Sequence, residues 1–513
     1  MSHDPTDQDA ADATAPGGPT AVPAGSTAAD VAAALRAAAD AAPALADLLP
    51  RERADLLRRV ADAVDADTDA LVALAAEETR LPEGRLRGEV GRTTFQLRRF
   101  AAVLDEGAYL EAVVDTADPD WPVGPRPDVR RVLEPLGPVV VFGASNFPFA
   151  FSVLGGDTAS ALAAGCPVVV KAHPGHPRLS ARTGALALRA LRAAGAPEGT
   201  FALLFGEEAG RIAVTHPAAR AVGFTGSIRG GRALHDLAAA RPRPIPFYGE
   251  LGSVNPVFVT RAAAEARAPE ILAGFAGSFT LGAGQFCTKP GLLFLPASVS
   301  LEPLVEAVRA GAPAALLNDR VATGFTAGVA GLTGHPATTV LVEGTADATE
   351  DGSAVCSPTL AATTVADLLD HADVLLEECF GPASLVVAYE DESELLAVAE
   401  VLPGQLTATV HAEDTPEERP FAAALTARLR DRAGRLLWNG WPTGVSVTDA
   451  MHHGGPYPAS TSALHTSVGA TAIRRFLRPV AYQDMPQHLL PPALRDDNPL
   501  GITRRVDGAP EPA

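Results

Sequence analysis

The segment GQFCTKPG contains Cys287, one of four cysteines in the chain, followed by a polar turn and a strand-like run. A cysteine thiolate is strongly nucleophilic and leaves well from a thioester, so Cys287 is a candidate nucleophile. A lone cysteine is more often a small buried apolar residue, and the segment alone does not exclude that role. We interpret Cys166, Cys356 and Cys379 as packing residues.

Two other segments carry groups that assist a nucleophile. In FYGELGS, Glu250 lies between glycines in an apolar stretch. Burial there would raise its pKa towards the range of a general base. In GASNFPF, Asn146 precedes a Phe-Pro-Phe turn, and its amide can donate to an oxyanion. The structural alternatives are a locally paired carboxylate for Glu250 and an Asx-turn for Asn146.

Two turns have features of ligand contacts. GFTGSIRGG ends a strand and begins a helix at Gly226 and Ser227, where unpaired N–H groups attract phosphate. It is neither a P-loop nor a G-x-G-x-x-G motif, so an ordinary turn is an equal alternative. In EECFGP, one of two acids could accept from a ribose hydroxyl, although a solvated pair explains them as well.

The segment MHHGGPYP suggests a metal site at first sight. Neighbouring histidines in a loop point in different directions, and no carboxylate stands at ligand spacing. We therefore predict no metal.

The composition limits the class of protein. With 41 Lys plus Arg against 61 Asp plus Glu, the net charge of −20 argues against nucleic acid or an acidic membrane as partner. The cysteines show no CxxC or paired spacing, which favours a reducing cytoplasm over a disulfide framework. No apolar run is long enough to span a bilayer. Residues 1–25 are polar and acidic, and we predict a disordered tail.

The hydrophobic pattern predicts an α/β fold. An Ala-rich helical region runs from Ser26 to about Leu110. From Val129, short apolar strands such as VVVFG, CPVVVK and AVGFTG alternate with amphipathic helices, which is typical of βαβ units and a parallel sheet. A second series runs from about Leu251 to Trp438, and 513 residues suffice for two or three domains.

Polar residues follow four of the predicted strands. They are Asn146, Lys171, the Gly226–Ser227 pair and Glu250. Parallel sheets bind ligands at the carboxyl ends of their strands. The sequence therefore predicts one ligand site at this edge.

Taken together, SNFPF, VVVKAHP, FTGS, ELGS, GQFCTKPG and EECFGP resemble the aldehyde dehydrogenase superfamily in order and approximate spacing. Longer segments, including FYGELGSVNPVF and MHHGGPYPASTSALHTSVG, resemble the branch that oxidises α-ketoglutaric semialdehyde (2,5-dioxopentanoate), which includes NADP-dependent members acting on fatty aldehydes. The resemblance implies a Rossmann-type cofactor domain over residues 26–250, a catalytic domain over 251–445 and a return to the cofactor domain over 446–513. It also implies a β oligomerisation arm, built from a part near 111–133 and from the C-terminal segment.

The resemblance further implies a role for each matching residue. Cys287 would be the nucleophile, Glu250 the general base, and Asn146 an oxyanion donor together with the Cys287 backbone N–H. The thioester formed after hydride transfer would be hydrolysed to the acid. The matching cofactor contacts would be Lys171 to a ribose, Ser227 and its neighbour Gly226 to the pyrophosphate, Glu378 to the nicotinamide-side ribose, and Phe380 by packing.

We expect either NAD or NADP as cofactor, with NADP preferred. The loop AHPGHPRLSAR after Lys171 has no acid to bind a ribose 2′-OH and repel a 2′-phosphate. His173, His176 and Arg211 are the predicted phosphate contacts. Arg178 and Arg182 are expected on solvated helix faces.

The preferred substrate interpretation is α-ketoglutaric semialdehyde, with long-chain or general aliphatic aldehydes as the alternative. Lys289 could pair with a distal carboxylate, or it could be a solvated turn residue. A Cys-dependent acyl hydrolase using His452 or His453, and a non-catalytic binding protein, are the competing classes. By resemblance, we expect a homodimer or homotetramer.

Overall fold

The computed structural model describes residues 21–348 and 354–511, so most of the predicted tail lies outside the described residues. The α-helices are α1 (Ala28–Asp47), α2 (Pro50–Ala66), α3 (Thr68–Thr79), α4 (Glu83–Glu106), α5 (Gly156–Ala164), α6 (Pro177–Ala193), α7 (Glu207–Thr215), α8 (Ile228–Ala239), α9 (Arg261–Thr280), α10 (Glu302–Arg309), α11 (Asp319–Thr333), α12 (Val365–Asp370), α13 (Ala372–Leu375), α14 (Ser393–Val401) and α15 (Arg419–Leu429).

The strands of the described residues form four sheets. The strands are β1 (Val113–Asp115), β2 (Val129–Pro135), β3 (Val139–Phe142), β4 (Val168–Lys171), β5 (Phe201–Leu204), β6 (Ala221–Thr225), β7 (Phe247–Glu250), β8 (Val257–Val259), β9 (Leu292–Pro296), β10 (Ala314–Ala315), β11 (Thr339–Val342), β12 (Ala346–Ala348), β13 (Ala354–Cys356), β14 (Thr359–Thr364), β15 (Ala383–Tyr389), β16 (Gln405–His411), β17 (Ala433–Trp438), β18 (Leu477–Gln483), β19 (Arg504–Val506) and β20 (Ala509–Glu511).

The first sheet has the order β5-β4-β3-β6-β7, and every neighbouring pair is parallel. The chain starts in the middle at β3, winds out to β5, and returns to β6 on the other side. This is the doubly wound order of a dinucleotide-binding unit, with its switch point between β3 and β6. Alternate valines pack on opposite faces: Val139 and Val141 lie in one buried cluster, Val140 and Val169 in another. The predicted α/β class is confirmed.

The second sheet has the order β11-β14-β15-β9-β8-β16-β17 and is parallel except for the β11–β14 pair. Both of its faces are also buried, since Phe258 and Phe294 lie in one cluster while Val257 and Leu293 lie in another. Its strands β8 and β9 flank the segment that contains Cys287. A three-stranded sheet, β10-β13-β12, accompanies it.

The third large sheet, which we call the arm sheet, has the order β18-β2-β1-β19-β20. It joins two segments that are far apart in sequence, since β2 pairs antiparallel with β18 from Leu477↔Pro135 to Gln483↔Val129. A role of this sheet in oligomer formation stays a prediction.

The hydrophobic pattern predicted one helix over the segment FAFSVLGGDTASALAAG, and this prediction was wrong. The helix α5 begins only at Gly156, and residues 147–155 form turns. Glu89 of α4 binds these turns, since its Oε1 accepts from the backbone N–H groups of Phe149 and Ala150 at 2.8 and 3.1 Å. These contacts hold the turn that follows Asn146.

After β17 the chain returns to the first sheet. Ser460 forms an isolated bridge with Glu250, and Thr461 Oγ1 accepts from the Gly249 N–H at 2.8 Å. This return brings the histidine-rich loop beside the end of β7. No helix in the described ranges is both long and apolar enough to cross a membrane.

Candidate active site

Cys287 lies in a loop between α9 and β9 that approaches the first sheet. A 3-10 turn, Leu281–Gly284, precedes it, and Gly282, Ala283 and Gly284 all have left-handed φ angles of 57°, 56° and 63°. A Cβ at position 284 would collide with the Gly381 carbonyl, so only glycine allows this approach.

Asn255 supports the Cys287 loop through hydrogen bonds to its backbone. It is 1% exposed and itself has a left-handed φ of 47°. Its Nδ2 donates to the carbonyl oxygens of Cys287 at 2.9 Å and Lys289 at 3.0 Å. Its Oδ1 accepts from Ser253 Oγ at 3.0 Å, so the serine of ELGS takes part in the support of the loop. Sequence reasoning missed Asn255, although it lies in the quoted segment FYGELGSVNPVF.

Glu250, Cys287 and His453 come together at the end of β7. One ligand-type atom from each lies within 4.8 Å of the other two. His453 Nε2 is 2.7 Å from Glu250 Oε1 and 3.4 Å from Cys287 Sγ. Because an ionised carboxylate only accepts hydrogen bonds, the Nε2 proton lies between His453 and Glu250. Sequence reasoning named His453 only as the base of a competing hydrolase.

Glu250 is 3% exposed, and we expected burial to raise its pKa. Burial does raise it, but the attraction of His453 and hydrogen bonds from His453, Ser467 and Cys287 outweigh burial. The net pKa of Glu250 is below its ordinary value, and the prediction of a raised pKa was wrong. The carboxylate is therefore an ionised acceptor at neutral pH.

The pKa of the Cys287 thiol is shifted in the opposite direction. Burial raises the pKa of Cys287 well above its ordinary value, and the negative charges of Glu250 and Glu378 raise it further, while Arg92 opposes them. The resting pair is thus a protonated thiol beside an ionised carboxylate. This arrangement can transfer a proton from sulfur to oxygen when an electrophile is present.

Asn146 lies directly across from the nucleophile segment. Its Nδ2 donates to the Gln285 carbonyl at 3.2 Å, and its own carbonyl accepts from Arg85 Nη2 at 2.7 Å. An amide nitrogen has two protons, so one remains for an oxyanion at Cys287.

Glu378 lies against the ELGS segment, where a Cβ at position 252 would collide with its Oε2. Burial raises its pKa to about 7, while Lys289 and a hydrogen bond from the Ser253 backbone oppose the rise. Phe380 is half-buried beside it. Lys289 is not a solvated turn residue: it is 2% exposed, and its Nζ donates to the carbonyls of Cys379 and Ala383 at 2.9 and 2.7 Å. The solvated alternative for Lys289 was wrong, and its contact with a distal carboxylate stays a prediction.

The predicted phosphate and ribose contacts surround the carboxyl edge of the first sheet. Ser227 is the N-cap of α8 and accepts from the Gly230 N–H at 3.2 Å, while Gly226 donates to the Glu250 carbonyl at 3.1 Å. Lys171 ends β4, and burial lowers its pKa to about 8 against the attraction of Glu207. A dinucleotide fits this edge, because the switch point and the positive end of α8 lie next to each other.

The loop after Lys171 differs from its prediction. His176 is fully buried, and its ring nitrogens contact Ser180 Oγ at 3.1 Å and the Ala144 carbonyl at 3.0 Å. It has no ring nitrogen left for a phosphate, so that prediction was wrong. His173 is half-buried, and its Nδ1 accepts from the Gly175 N–H at 3.0 Å.

The arginines of this region divide into two groups. Arg178 and Arg182 are not on solvated faces as expected, because Arg178 binds Glu78 and Arg182 binds both oxygens of Asp67 at 2.6 Å. Arg211, on α7, keeps a side chain that is 60% exposed and lies 3.7 Å from Glu208. Arg320, which sequence reasoning missed, pairs with Glu207 at 2.7 Å and acts electrostatically on Lys171.

Among the described residues, Glu250, Cys287 and His453 are also a group of three side chains close enough together to hold a metal ion. A structural zinc site has four ligands, and a catalytic one keeps three and a water. The same groups can also exchange protons, since the thiol of Cys287 lies beside the ionised carboxylate of Glu250.

Comparison with known proteins agrees with this geometry. Residues 13–479 match the model of the aldehyde dehydrogenase family. Alpha-ketoglutaric semialdehyde dehydrogenase 2 of Azospirillum brasilense is 48% identical over 90% of this chain and 87% of that protein. Alpha-ketoglutaric semialdehyde dehydrogenase of Acinetobacter baylyi is 44% identical over 89% of this chain and 87% of that protein. The aldehyde dehydrogenase KauB from Pseudomonas aeruginosa has the same fold, with a TM-score of 0.75, 23% identity and 90% coverage of both chains.

The chain therefore belongs to the aldehyde dehydrogenase family. It is an NAD(P)-dependent oxidoreductase that acts on the aldehyde group of small molecules. The primary function is therefore neither that of a Cys-dependent acyl hydrolase nor that of a non-catalytic binding protein.

Proposed function

We propose that the protein oxidises α-ketoglutaric semialdehyde to 2-oxoglutarate, with Cys287 as nucleophile and NADP as the preferred cofactor. The relatives that are 48% and 44% identical over about nine tenths of the chain support the substrate. The contact of Cys287 with His453, which in turn binds Glu250, supports the covalent route.

In the first half-reaction the Cys287 thiol gives its proton to Glu250, and sulfur forms a bond with the aldehyde carbon. The carbonyl oxygen becomes an oxyanion that accepts from Asn146 Nδ2. Preorganised donors of this kind stabilise the developing charge without reorganisation cost. The bound nicotinamide supplies a hydride acceptor, so that the thiohemiacetal can become a thioester.

Glu250 first releases the Cys287 proton to solvent. In the second half-reaction it takes a proton from water, and the hydroxide adds to the thioester carbon. The carbon–sulfur bond then breaks, and the thiolate recovers the proton from Glu250. His453 Nε2 stays hydrogen-bonded to Glu250 at 2.7 Å and lies 3.4 Å from the sulfur, so it keeps the carboxyl group beside the thiolate that takes the proton back.

The residues that would hold the cofactor are those at the edge of the first sheet. Lys171 would donate to a ribose hydroxyl, Ser227 and Gly226 would contact the pyrophosphate, and Glu378 would accept from the nicotinamide-side ribose beside Phe380. His173, Arg211 and Arg320 would surround a 2′-phosphate.

We further infer that the protein is a cytoplasmic homo-oligomer. The arm sheet joins β2 and β18 along seven residue pairs from Leu477 to Gln483, and we assign it to a homodimer or homotetramer contact. The four cysteines are free thiols, which supports a reducing cytoplasm. The net charge of −20 supports the absence of nucleic-acid and acidic-membrane partners.

The test is an aldehyde screen with both cofactors. We expect the highest kcat/KM with α-ketoglutaric semialdehyde and NADP, and 2-oxoglutarate as the product. A higher kcat/KM for long-chain or simple aliphatic aldehydes would replace this substrate with the alternative. Ester cleavage without any reduction of NADP or NAD would contradict the dehydrogenase function.

A further inference from the structure

One face of α4 borders the candidate site. Arg85, Glu89, Arg92 and Gln96 follow the helical spacing that places side chains on one side. Three of them hold the turn after β3: Arg85 donates to the Asn146 carbonyl, Glu89 accepts from two backbone N–H groups, and Gln96 donates to the Ala150 carbonyl at 3.3 Å. Arg92, the fourth residue of this face, has no such hydrogen bond to the turn among the described residues.

Arg92 has two guanidinium nitrogens, Nε and Nη2, that are shielded from solvent and have no hydrogen-bond partner among the described residues. Its Cζ lies over the Phe151 ring, 5.5 Å from the ring centroid. Burial lowers its pKa, while the charges of Cys287, Glu89 and Glu250 raise it, so Arg92 lies within electrostatic reach of the nucleophile. A buried N–H without a partner is costly, so these two nitrogens are suited to an acceptor from outside the chain.

The two free nitrogens form one edge of the guanidinium, and that edge matches a carboxylate. The protein itself shows the geometry. Arg182 binds Asp67 through Nε and Nη2, both at 2.6 Å, and Arg130 binds Asp128 through the same two atoms at 2.8 and 2.9 Å.

Two other arginines near the site are less suited to this role. Arg85 has one buried unpaired nitrogen, Nη1, but its Cζ lies between the rings of Phe147 and Phe286, at 5.3 and 4.9 Å from their centroids. Arg435 donates through both terminal nitrogens to backbone carbonyls and keeps only Nε unpaired. Neither offers a free edge.

Aromatic rings connect Arg92 with the nucleophile. Phe151, under Arg92, lies 5.3 Å from Phe147, and Phe147 lies 5.4 Å from Phe286, which precedes Cys287. These rings provide an apolar wall for a short carbon chain with an aldehyde at one end and an anion at the other.

We propose that Arg92 binds the distal carboxylate of the substrate through Nε and Nη2 while the aldehyde carbon lies at Cys287. This inference rests on the proposed function, because it assigns one residue to the recognition of its ω-carboxylated substrate. It makes Arg92 a specificity residue that discriminates carboxylated from uncharged aldehydes.

The experiment compares α-ketoglutaric semialdehyde, 5-oxopentanoate and pentanal in the wild type, Arg92→Met, Arg92→Lys and Arg87→Met. Methionine keeps an apolar stem, and lysine keeps the charge without the two-nitrogen edge. Arg87 is the matched control, because it lies on the same helix as Arg92 and pairs with exposed Asp69 of α3. Thermal unfolding and NADP binding establish that each variant is folded.

In Arg92→Met we expect the ratio of kcat/KM for the carboxylated aldehydes over pentanal to fall about 100-fold, mainly through KM, as for loss of a charged hydrogen-bonded pair. Arg92→Lys should recover part of the ratio, and Arg87→Met should keep it. A ratio that is unchanged in folded Arg92→Met, or an equal loss on all three substrates, overturns the assignment of Arg92. A wild type that prefers pentanal overturns the proposed substrate itself, and the Arg92 assignment with it. If Arg92→Met does not fold, the same ratio in Arg92→Lys decides: an unchanged ratio overturns the assignment, and a lowered ratio supports it.

Discussion

His453 Nε2 and Glu250 Oε1 lie 2.7 Å apart although the two residues are 203 positions apart in sequence. This bond keeps a buried carboxylate ionised beside a thiol whose pKa is raised. In the proposed mechanism, the pair provides a base that is ionised at neutral pH and a nucleophile that loses its proton only when a substrate is in place.

Replacing Glu250 by Gln should separate the two half-reactions. The variant retains the hydrogen-bonding shape of the side chain but has no basic oxygen for water. We expect a burst of about one reduced cofactor per site, slower than in the wild type because solvent instead of Glu250 takes the Cys287 proton, followed by still slower turnover, as covalent catalysis predicts. Rapid-mixing absorbance of reduced NADP measures it. Steady turnover at the wild-type rate would show that another group activates water.

The pH dependence of Cys287 alkylation tests the electrostatics. Because burial and the charges of Glu250 and Glu378 raise the pKa of Cys287, iodoacetamide should react slowly at neutral pH and faster as the pH rises. Glu250→Gln removes a negative charge, which lowers the pKa of Cys287 and moves the profile to lower pH. Peptide mass spectrometry of the ligand-free enzyme measures the rate at this residue. A shift to higher pH in Glu250→Gln would contradict the sign of the interaction.

Asn255→Asp should disturb the nucleophile loop. An aspartate cannot donate to the carbonyls of Cys287 and Lys289, and its charge would face both oxygens. We expect a loss of about 2–3 kcal/mol in the free energy of unfolding and a lower kcat. Urea unfolding and steady-state kinetics measure the two effects. Asn318→Asp is a comparison that keeps its cap contact, since Asn318 Oδ1 accepts from Val321 N–H. Wild-type stability in Asn255→Asp would show that the loop does not depend on these bonds.

Arg211→Ala should reduce the preference for NADP. Arg211 is largely exposed on α7, the helix that follows β5. We expect kcat/KM for NADP to fall about tenfold relative to NAD. Arg189→Ala, an exposed arginine on α6, is the control. Unchanged selectivity in Arg211→Ala would leave Arg320 and His173 as the phosphate contacts, and a wild type that strongly prefers NAD would refute the NADP assignment.

The first sheet could be predicted from sequence because its strands are short apolar runs separated by amphipathic helices. The segments VVVFG, CPVVVK and AVGFTG correspond to β3, β4 and β6. Since parallel strands end at one edge, their order alone places Asn146, Lys171, Ser227 and Glu250 near each other.

Side-chain partners could not be predicted in the same way. His176 and Lys289 contact the carbonyls of Ala144 and Ala383, which are 32 and 94 residues away in the sequence. Arg182 meets Asp67 because α6 packs on the N-terminal helices. The pKa of Glu250 depends on His453, which reaches it only through the return of the chain after β17.

Mass spectrometry of the enzyme intermediate tests the central claim most directly. The enzyme is mixed with α-ketoglutaric semialdehyde and NADP, quenched in acid and digested; Glu250→Gln serves to accumulate the intermediate. We predict that the peptide containing Cys287 gains the mass of one 2-oxoglutaryl group, that Cys287→Ala forms neither adduct nor reduced cofactor, and that Cys379→Ala behaves like the wild type. Reduction of NADP by Cys287→Ala at a rate near that of the wild type, or an acyl group on Cys379, would contradict the account.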